Sequence, residues 1–184
     1  MKNKNTNIYL NYYKPFLDIT LACFALLLLL PLLLIIGFLN LIFIKEQPFF
    51  LQERVGKNFK SFQIIKFKSM KTRSNLNKGP LITTQNDPRI TTFGRLLRFS
   101  KLDELPQLVN IIKGDMSIIG PRPQTQDKIY NHLKDYKVIL SVKPGLSDFA
   151  SIVLRNEEQL LEKHLNKQLA YTQLIMPKKI QLAK

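Results

Sequence analysis

Residues 19–44 hold no charged side chain, and nearly all are Leu, Ile, Phe or Ala. As a helix rising 1.5 Å per residue, the run is long enough to cross a hydrocarbon core of roughly 30 Å. It is too long for the apolar stretch of a signal peptide, and no small-residue cleavage site follows, which marks a retained membrane segment. Pro31 sits in its middle. A mid-helix proline removes a backbone hydrogen bond and clashes with the preceding turn. Two forms are open: a kinked helix that crosses, or a re-entrant hairpin with arms 19–30 and 32–44. Each arm would be roughly 18–20 Å long, short for a crossing by itself. Lys2, Lys4 and Lys14 precede the run, and Lys45, Arg54, Lys57 and Lys60 follow it. Basic flanks favour the cytoplasmic side, and both ends satisfy that rule only if the segment turns back.

The net charge is +15, of which residues 1–44 supply only +2. From Arg54 to Lys101 there are twelve Lys or Arg and one acid, Asp87. Such a block attracts polyanions: nucleic acid, anionic headgroups or a pyrophosphate. Cys23 is the only cysteine and lies inside the apolar run, so no disulfide forms within the chain and a cytosol-facing soluble part is natural. His132 and His164 are isolated, which argues against a zinc site. There is no P-loop and no G-x-G-x-x-G. At 184 residues one domain with one real core is expected.

Beyond residue 44 the pattern changes. Phe49 and Leu51, then Phe62, Ile64, Ile65 and Phe67, flank a Val-Gly-Lys-Asn turn and predict a β-hairpin. Residues 71–88, with Gly79-Pro80 and Asp87-Pro88, read as a loop. Thr91 to Phe99 predicts a short basic helix with Phe93, Leu96 and Leu97 on one side. A second helix is expected from near Asp103 to Gly114, with Pro106 in its first turn. Met116 to Ile119 reads as a short buried strand or extended piece, and residues 124–140 as an amphipathic helix. Asn156 is expected to cap a last helix, with Glu157 and Glu158 in its first turn, ended by Pro177.

The chemistry concentrates in Ser100 to Pro123, SKLDELPQLVNIIKGDMSIIGPRP. Asp103 at a helix start would be kept ionised by backbone N–H groups, as a nucleophile must be. Its neighbour Glu104 does not share its direction on a helix, so the pair suits two roles: one carboxylate attacks, the other holds Mg²⁺. Arg98 precedes Asp103 by five residues, and Arg122 is held between two prolines. Arginine's planar fork suits phosphate oxygens.

These residues also carry a resemblance. Gln52-Glu53-Arg54-Val55-Gly56, Ile65-Lys66-Phe67-Lys68-Ser69-Met70, Asp87-Pro88-Arg89-Ile90-Thr91, the whole of Leu102–Pro123 and Lys143-Pro144-Gly145-Leu146 occur in family order. The chain resembles a bacterial sugar transferase of the small monotopic phosphoglycosyl transferase family, over roughly residues 14–150. The resemblance implies an α+β fold, mostly helical. Residues 1–44 would form a re-entrant membrane helix broken at Pro31. Residues 45–184 would form a compact cytosolic catalytic domain with a short β-hairpin and interfacial amphipathic helices. The implied activity transfers a sugar-1-phosphate from a UDP-sugar to polyprenyl (undecaprenyl) phosphate, releases UMP and begins a surface glycan. It would run at the cytoplasmic face of a bacterial inner membrane, with downstream glycosyltransferases as partners and no nucleic acid. In the family's terms Asp103 is the nucleophile and Glu104 the Mg²⁺ ligand. Arg98 lies at the polyprenyl phosphate, with Pro31 on the lipid side. Arg122, with Lys66 and Lys68, lies at the nucleotide-sugar.

The chain departs from the family in two places. Leu30 stands where many relatives have Ser before the membrane proline. Ser147 to Glu158 replaces the commoner pattern after Lys-Pro-Gly, in the region expected to bear on sugar choice. A competing reading, a non-enzymatic membrane-anchored protein binding nucleic acid or anionic lipid through the basic block, leaves Asp-Glu-Leu-Pro and Pro-Arg-Pro without a reason.

Overall fold

The computed structural model describes residues 8–72 and 87–184. A π-helical turn, Tyr9–Tyr13, leads into α1, Lys14–Ile44, whose helical structure continues through Pro31. The two foreseen arms therefore form one element. Its buried positions are Asp18, Ala22, Ile36, Asn40 and Ile44, spaced so that each half shows one stripe to the rest of the chain. Most of the remaining surface is exposed leucine, isoleucine and phenylalanine. Leu29 packs against one apolar cluster and Leu33 against another, so the contact changes partner around Pro31.

The hairpin forms as expected. β1, Phe49–Val55, pairs antiparallel with β2, Ser61–Phe67, placing Phe50 opposite Lys66 and Arg54 opposite Phe62. The turn between them uses Asn58 and Phe59 at positive φ. α2, Thr92–Phe99, begins where the Thr91 hydroxyl accepts a hydrogen bond from the Gly94 N–H at 2.9 Å. Of the side expected to be apolar, Leu97 is buried, Phe93 packs partly and Leu96 faces outward.

The expected helix from Asp103 is shorter than foreseen. Lys101 takes a left-handed conformation (φ 60°), and Leu102–Glu104 tightens into a 3₁₀ turn. α3, Gln107–Ile112, starts only after Pro106 and ends before Gly114, whose φ is +84°. β3, Ser117–Ile119, then pairs in parallel with β4, Gly145–Ser147. Ser117 is buried but Ile119 is exposed, so this strand is only part-buried.

The helix expected over 124–140 breaks at Asn131-His132 into α4, Gln126–Tyr130, and α5, Leu133–Ile139. After β4 come α6, Phe149–Val153, and α7, Glu157–Glu162, which follows Asn156. Next are α8, Lys167–Ala170, and a π-helical turn, Tyr171–Ile175, that leads into α9, Met176–Ala183. Pro177 thus opens a helix instead of ending one, because its missing N–H is no loss in a first turn. Gly79-Pro80 and most of the expected loop lie outside the described residues.

Three apolar clusters hold the chain together. Ala22, Leu26 and Leu29 of α1 meet Ile64, Leu108 and Ile111. Leu33 and Ile36 meet Phe67 and Leu97. The third cluster, including Ile129, Tyr136, Tyr171, Met176 and Ile180, receives no residue from α1.

Candidate active site

The left-handed Lys101 reverses the chain between α2 and the 3₁₀ turn and carries Asp103 and Glu104 up against β2. α3 is keyed to the same strand. The Asn110 side chain accepts from the Ile65 N–H at 3.0 Å and donates to the Gln63 carbonyl at 2.7 Å. Lys66 projects from β2 and donates to Glu104 Oε1 at 2.7 Å.

Arg122 arrives from the opposite side. It follows β3 through Gly120-Pro121, where the chain passes very close to the Lys143-Pro144-Gly145 turn. A Cβ on Gly120 would lie 2.4 Å from the Lys143 carbonyl oxygen, and one on Gly145 would lie 2.1 Å from the Gly120 nitrogen. Glycine at both positions permits this approach. The Arg122 N–H donates to Asp148 Oδ2 at 3.2 Å. Its guanidinium grips Glu104 with both terminal nitrogens, Nη1 reaching Oε2 at 3.2 Å and Nη2 reaching Oε1.

The two carboxylates are driven apart. Burial opposes ionisation of Glu104, but Arg122 and Lys66, through charge and hydrogen bonds, hold its carboxyl at about 2. Asp103 is raised above its ordinary range, chiefly by burial, with Lys66 pulling against the rise and Glu104 adding to it. Its Oδ1 is buried without a hydrogen-bond partner among the described residues. The helix expected to start at Asp103 begins only at Gln107, after a single 3₁₀ turn, so its N–H groups do not set the Asp103 carboxyl, and burial raises it. Opposite perturbation of neighbouring acids is a pattern of functional sites. Burial first, and then Arg122, lower the Lys66 ammonium. The Arg122 guanidinium is raised despite burial, because Glu104 outweighs it.

Of the residues singled out from sequence, Asp103, Glu104, Lys66 and Arg122 converge. Arg98 lies in the last turn of α2, with Nη1 3.9 Å from Met70 Sδ, and its charge bears on Asp103. Lys68 is elsewhere: it is held by Glu46 and by the Thr72 hydroxyl at 2.7 Å, beyond the end of β2. Pro31 lies within α1, away from these contacts. Arg54 entered the sequence reading as a basic flank and part of a family stretch and not as a site residue, yet it sits beside Arg122 and its charge reaches Glu104. The signal was available. In the hairpin register Arg54, Gln52 and Lys66 share one face.

The family model for bacterial sugar transferases matches residues 9–178. The chain belongs to that family. It is 41% identical over 150 residues to a UDP-glucose:undecaprenyl-phosphate glucose-1-phosphate transferase of Escherichia coli K12, covering 79% of this chain and 32% of that protein. It is 37% identical over 145 residues to a UDP-N-acetylgalactosamine-undecaprenyl-phosphate N-acetylgalactosaminephosphotransferase of Aeromonas hydrophila, covering 77% of this chain and 34% of the relative. An undecaprenyl-phosphate galactose phosphotransferase of Salmonella typhimurium is 39% identical over 119 residues, 57% of this chain and 25% of its own length. The chain thus spans about a third or less of these relatives. Family membership and the exposed apolar helix together make this chain a membrane protein.

Proposed function

We propose that this chain transfers a sugar-1-phosphate from a UDP-sugar to polyprenyl phosphate at a bilayer surface, through a covalent intermediate on Asp103. The observation that carries the reading is the buried Asp103 carboxylate, with an open oxygen, beside a Glu104 clamped by Lys66 and Arg122. The names of the relatives support the substrate classes. Asp103 attacks the sugar-bearing phosphorus, the bond from that phosphorus to the bridging oxygen breaks, and UMP leaves. An oxygen of polyprenyl phosphate then attacks the same phosphorus and releases the Asp103 carboxylate. No proton need move in either displacement, which fits a site without a histidine. Arg122 serves the diphosphate, and Arg98 serves the lipid phosphate.

No group of three acidic, histidine or cysteine side chains suited to a metal occurs among the described residues. Mg²⁺ needs no such cage, since one or two carboxylates and substrate phosphates suffice. The Glu104 carboxylate beside Asp103, together with substrate phosphates, fits that requirement. Bound there, Mg²⁺ would neutralise charge developing on phosphate oxygens. Glu104 would hold it by releasing part of its grip on Lys66 or Arg122, and those cations would turn to the incoming phosphates.

We further propose that α1 enters and leaves by the cytoplasmic face. Near one end Asp18 accepts from the Ser117 hydroxyl at 2.7 Å, and near the other Asn40 donates to the Pro48 carbonyl at 3.0 Å. Both ends are therefore held by the same polar body, which a straight crossing would separate. Outward-facing Phe99 on α2 and Phe149 and Ile152 on α6 support helices resting on the interface.

The deciding assay incubates membranes carrying the chain with a panel of UDP-sugars and polyprenyl phosphate and measures UMP. Asp103→Asn should release none, and near-normal release would end the covalent mechanism. In a Cys23→Ser background, cysteines at positions 12 and 57 should both react from the cytoplasmic side. Labelling of position 12 from the opposite side would show that α1 crosses.

A further inference from the structure

Gln107 opens α3, yet it is only 1% exposed, and its Nε2 is buried with no acceptor among the described residues. A polar side chain is costly in such a place unless it is hydrogen-bonded. Four buried side-chain polar atoms lack a partner among the described residues. Arg54 Nε and Gln107 Nε2 are donors, and Asn40 Oδ1 and Asp103 Oδ1 are acceptors. Arg54 already directs its terminal nitrogens to Gln52 and the Pro123 carbonyl, and the Asn40 amide is bound to Pro48 near the end of α1. Asp103 and Gln107, by contrast, stand four residues apart in one motif. Leu105 and Pro106 between them are both right-handed (φ −56° and −60°), so the 3₁₀ turn winds into α3 without a reversal. The Leu108 N–H bonds the Leu105 carbonyl and the Val109 N–H the Pro106 carbonyl, each at 3.0 Å, and these continue the coil. Side chains four apart in a right-handed coil are neighbours, and the later one leans back towards the earlier; glutamine and aspartate pair by hydrogen bond at this spacing.

We infer that Gln107 is the positioning residue of the nucleophile: its amide N–H donates to Asp103 Oδ1 and leaves Oδ2 turned towards the phosphorus. This rests on the covalent phosphoglycosyl transferase reading and deepens it. One rotation of the Gln107 side chain satisfies both orphaned atoms, and bonds of this kind are often long in an unliganded site and tighten when substrate arrives. The need is specific to Asp103, because Lys66 and Arg122 direct their bonds to Glu104. In the first displacement Oδ2 bonds to phosphorus, the bond from phosphorus to the bridging oxygen breaks, and its electron pair leaves with UMP. Gln107 gives up no proton; it holds Oδ1, which becomes the carbonyl oxygen of the acyl phosphate. In the second displacement the bond from Oδ2 to phosphorus breaks, and the same donor meets the carboxylate charge as it returns. A residue acting in this way serves both half-reactions alike and contributes little to substrate affinity.

The test uses the full chain in phosphatidylcholine nanodiscs. Gln107→Leu should slow UMP release at saturating UDP-sugar by about 10-fold or more, the scale of one lost hydrogen bond to a charged group. Transfer from the preformed phospho-sugar enzyme to polyprenyl phosphate should slow by a similar factor, while KM for the UDP-sugar stays within about twofold. Gln107→Glu keeps the size and replaces the donor by an acceptor, so it should slow both steps at least as much; parent-like rates would reduce Gln107 to a packing role. If Gln107→Leu does not fold, Gln107→Met takes its place. Unchanged rates in the folded variant overturn the inference, as does a loss confined to KM or to one half-reaction, which would make Gln107 a substrate contact. A stability cycle of Asp103→Ala and Gln107→Leu by denaturant unfolding in EDTA reads the pairing without turnover. The two effects should depart from additivity by about 10-fold in the folding equilibrium constant. If the parent yields UMP from no UDP-sugar, the transferase reading fails, and the cycle still decides the pairing: strict additivity overturns it.

Discussion

Glu104→Gln is the substitution whose cost the structure fixes most directly. A carboxyl that titrates at about 2 instead of its ordinary 4.5 is favoured in its ionised form by about 3 kcal/mol at neutral pH. The cause is local: two cations, Lys66 and Arg122, contact it while its side chain is 13% exposed. The folded value lies below the unfolded one, so this stabilisation is complete above about pH 4.5 and disappears as pH falls towards 2. Linkage leaves about 1.4 kcal/mol at pH 3 and less than about 0.5 kcal/mol at pH 2. Glutamine keeps the shape, loses the charge and strands the two cations. The variant should therefore be less stable at pH 7 by about 3 kcal/mol or more. The gap to the parent should narrow by about 2 kcal/mol between pH 7 and pH 3. Denaturant unfolding of nanodisc-embedded protein, followed at both pH values in EDTA, measures it. Lys66→Met, which removes one of the two cations, should show a shallower pH dependence than the parent. A Glu104→Gln deficit that stays constant from pH 7 to pH 3 would refute the argument that paired charge holds this carboxyl down.

Two further outcomes follow from contacts that set up the site. Asn110→Ala strands the Ile65 N–H and the Gln63 carbonyl; it should cost about 2–4 kcal/mol in denaturant unfolding and reduce turnover by loosening the strand that carries Lys66. Asp87 accepts from the Arg89 backbone at 2.9 Å and from its guanidinium at 2.9 and 2.6 Å, and the Arg89 hydrogen bonds hold its carboxyl below the usual range. Asp87→Asn should thus be less stable by about 2 kcal/mol at pH 7, with the difference lost as pH falls below the ordinary Asp range, near 4.

The sequence made the local elements legible where the controlling chemistry is local. Alternation on either side of Val-Gly-Lys-Asn is enough to predict the hairpin, because one apolar face and a turn that accepts positive φ at Asn58 fix it. Thr91 declares the start of α2 by its own side chain. Spacing could not show that Lys101 would turn left-handed and delay the next helix to Gln107. That choice relies on packing the 3₁₀ turn against β2. The parallel pairing of Ser117 with Gly145 joins distant segments through a close backbone approach, and no local pattern announces it. The site divides in the same way. The motif pointed to Asp103, Glu104 and Arg122, but the raised Asp103 carboxyl follows from burial, which is tertiary. Lys66 and Lys68 looked equivalent in sequence and were separated by the strand ending at Phe67.

The membrane helix and the site are one packing problem. Lipid tails are as apolar as leucine, so hydrophobicity alone gives α1 little reason to prefer the protein over the bilayer. What specifies its placement is polar. Asp18 takes hydrogen bonds from Ser117 at the start of β3, the strand that leads to Arg122. Asn40 reaches Pro48 at the start of β1, the strand that carries Arg54. Between these two keys, Ala22 and Ile36 fill the clusters beneath Leu108 and Leu97, the helices on either side of Asp103. A shift of α1 by one residue would break both keys and tilt both arginine-bearing segments. The placement of α1 and the positions of the strands beside Asp103 therefore rest on the same few contacts.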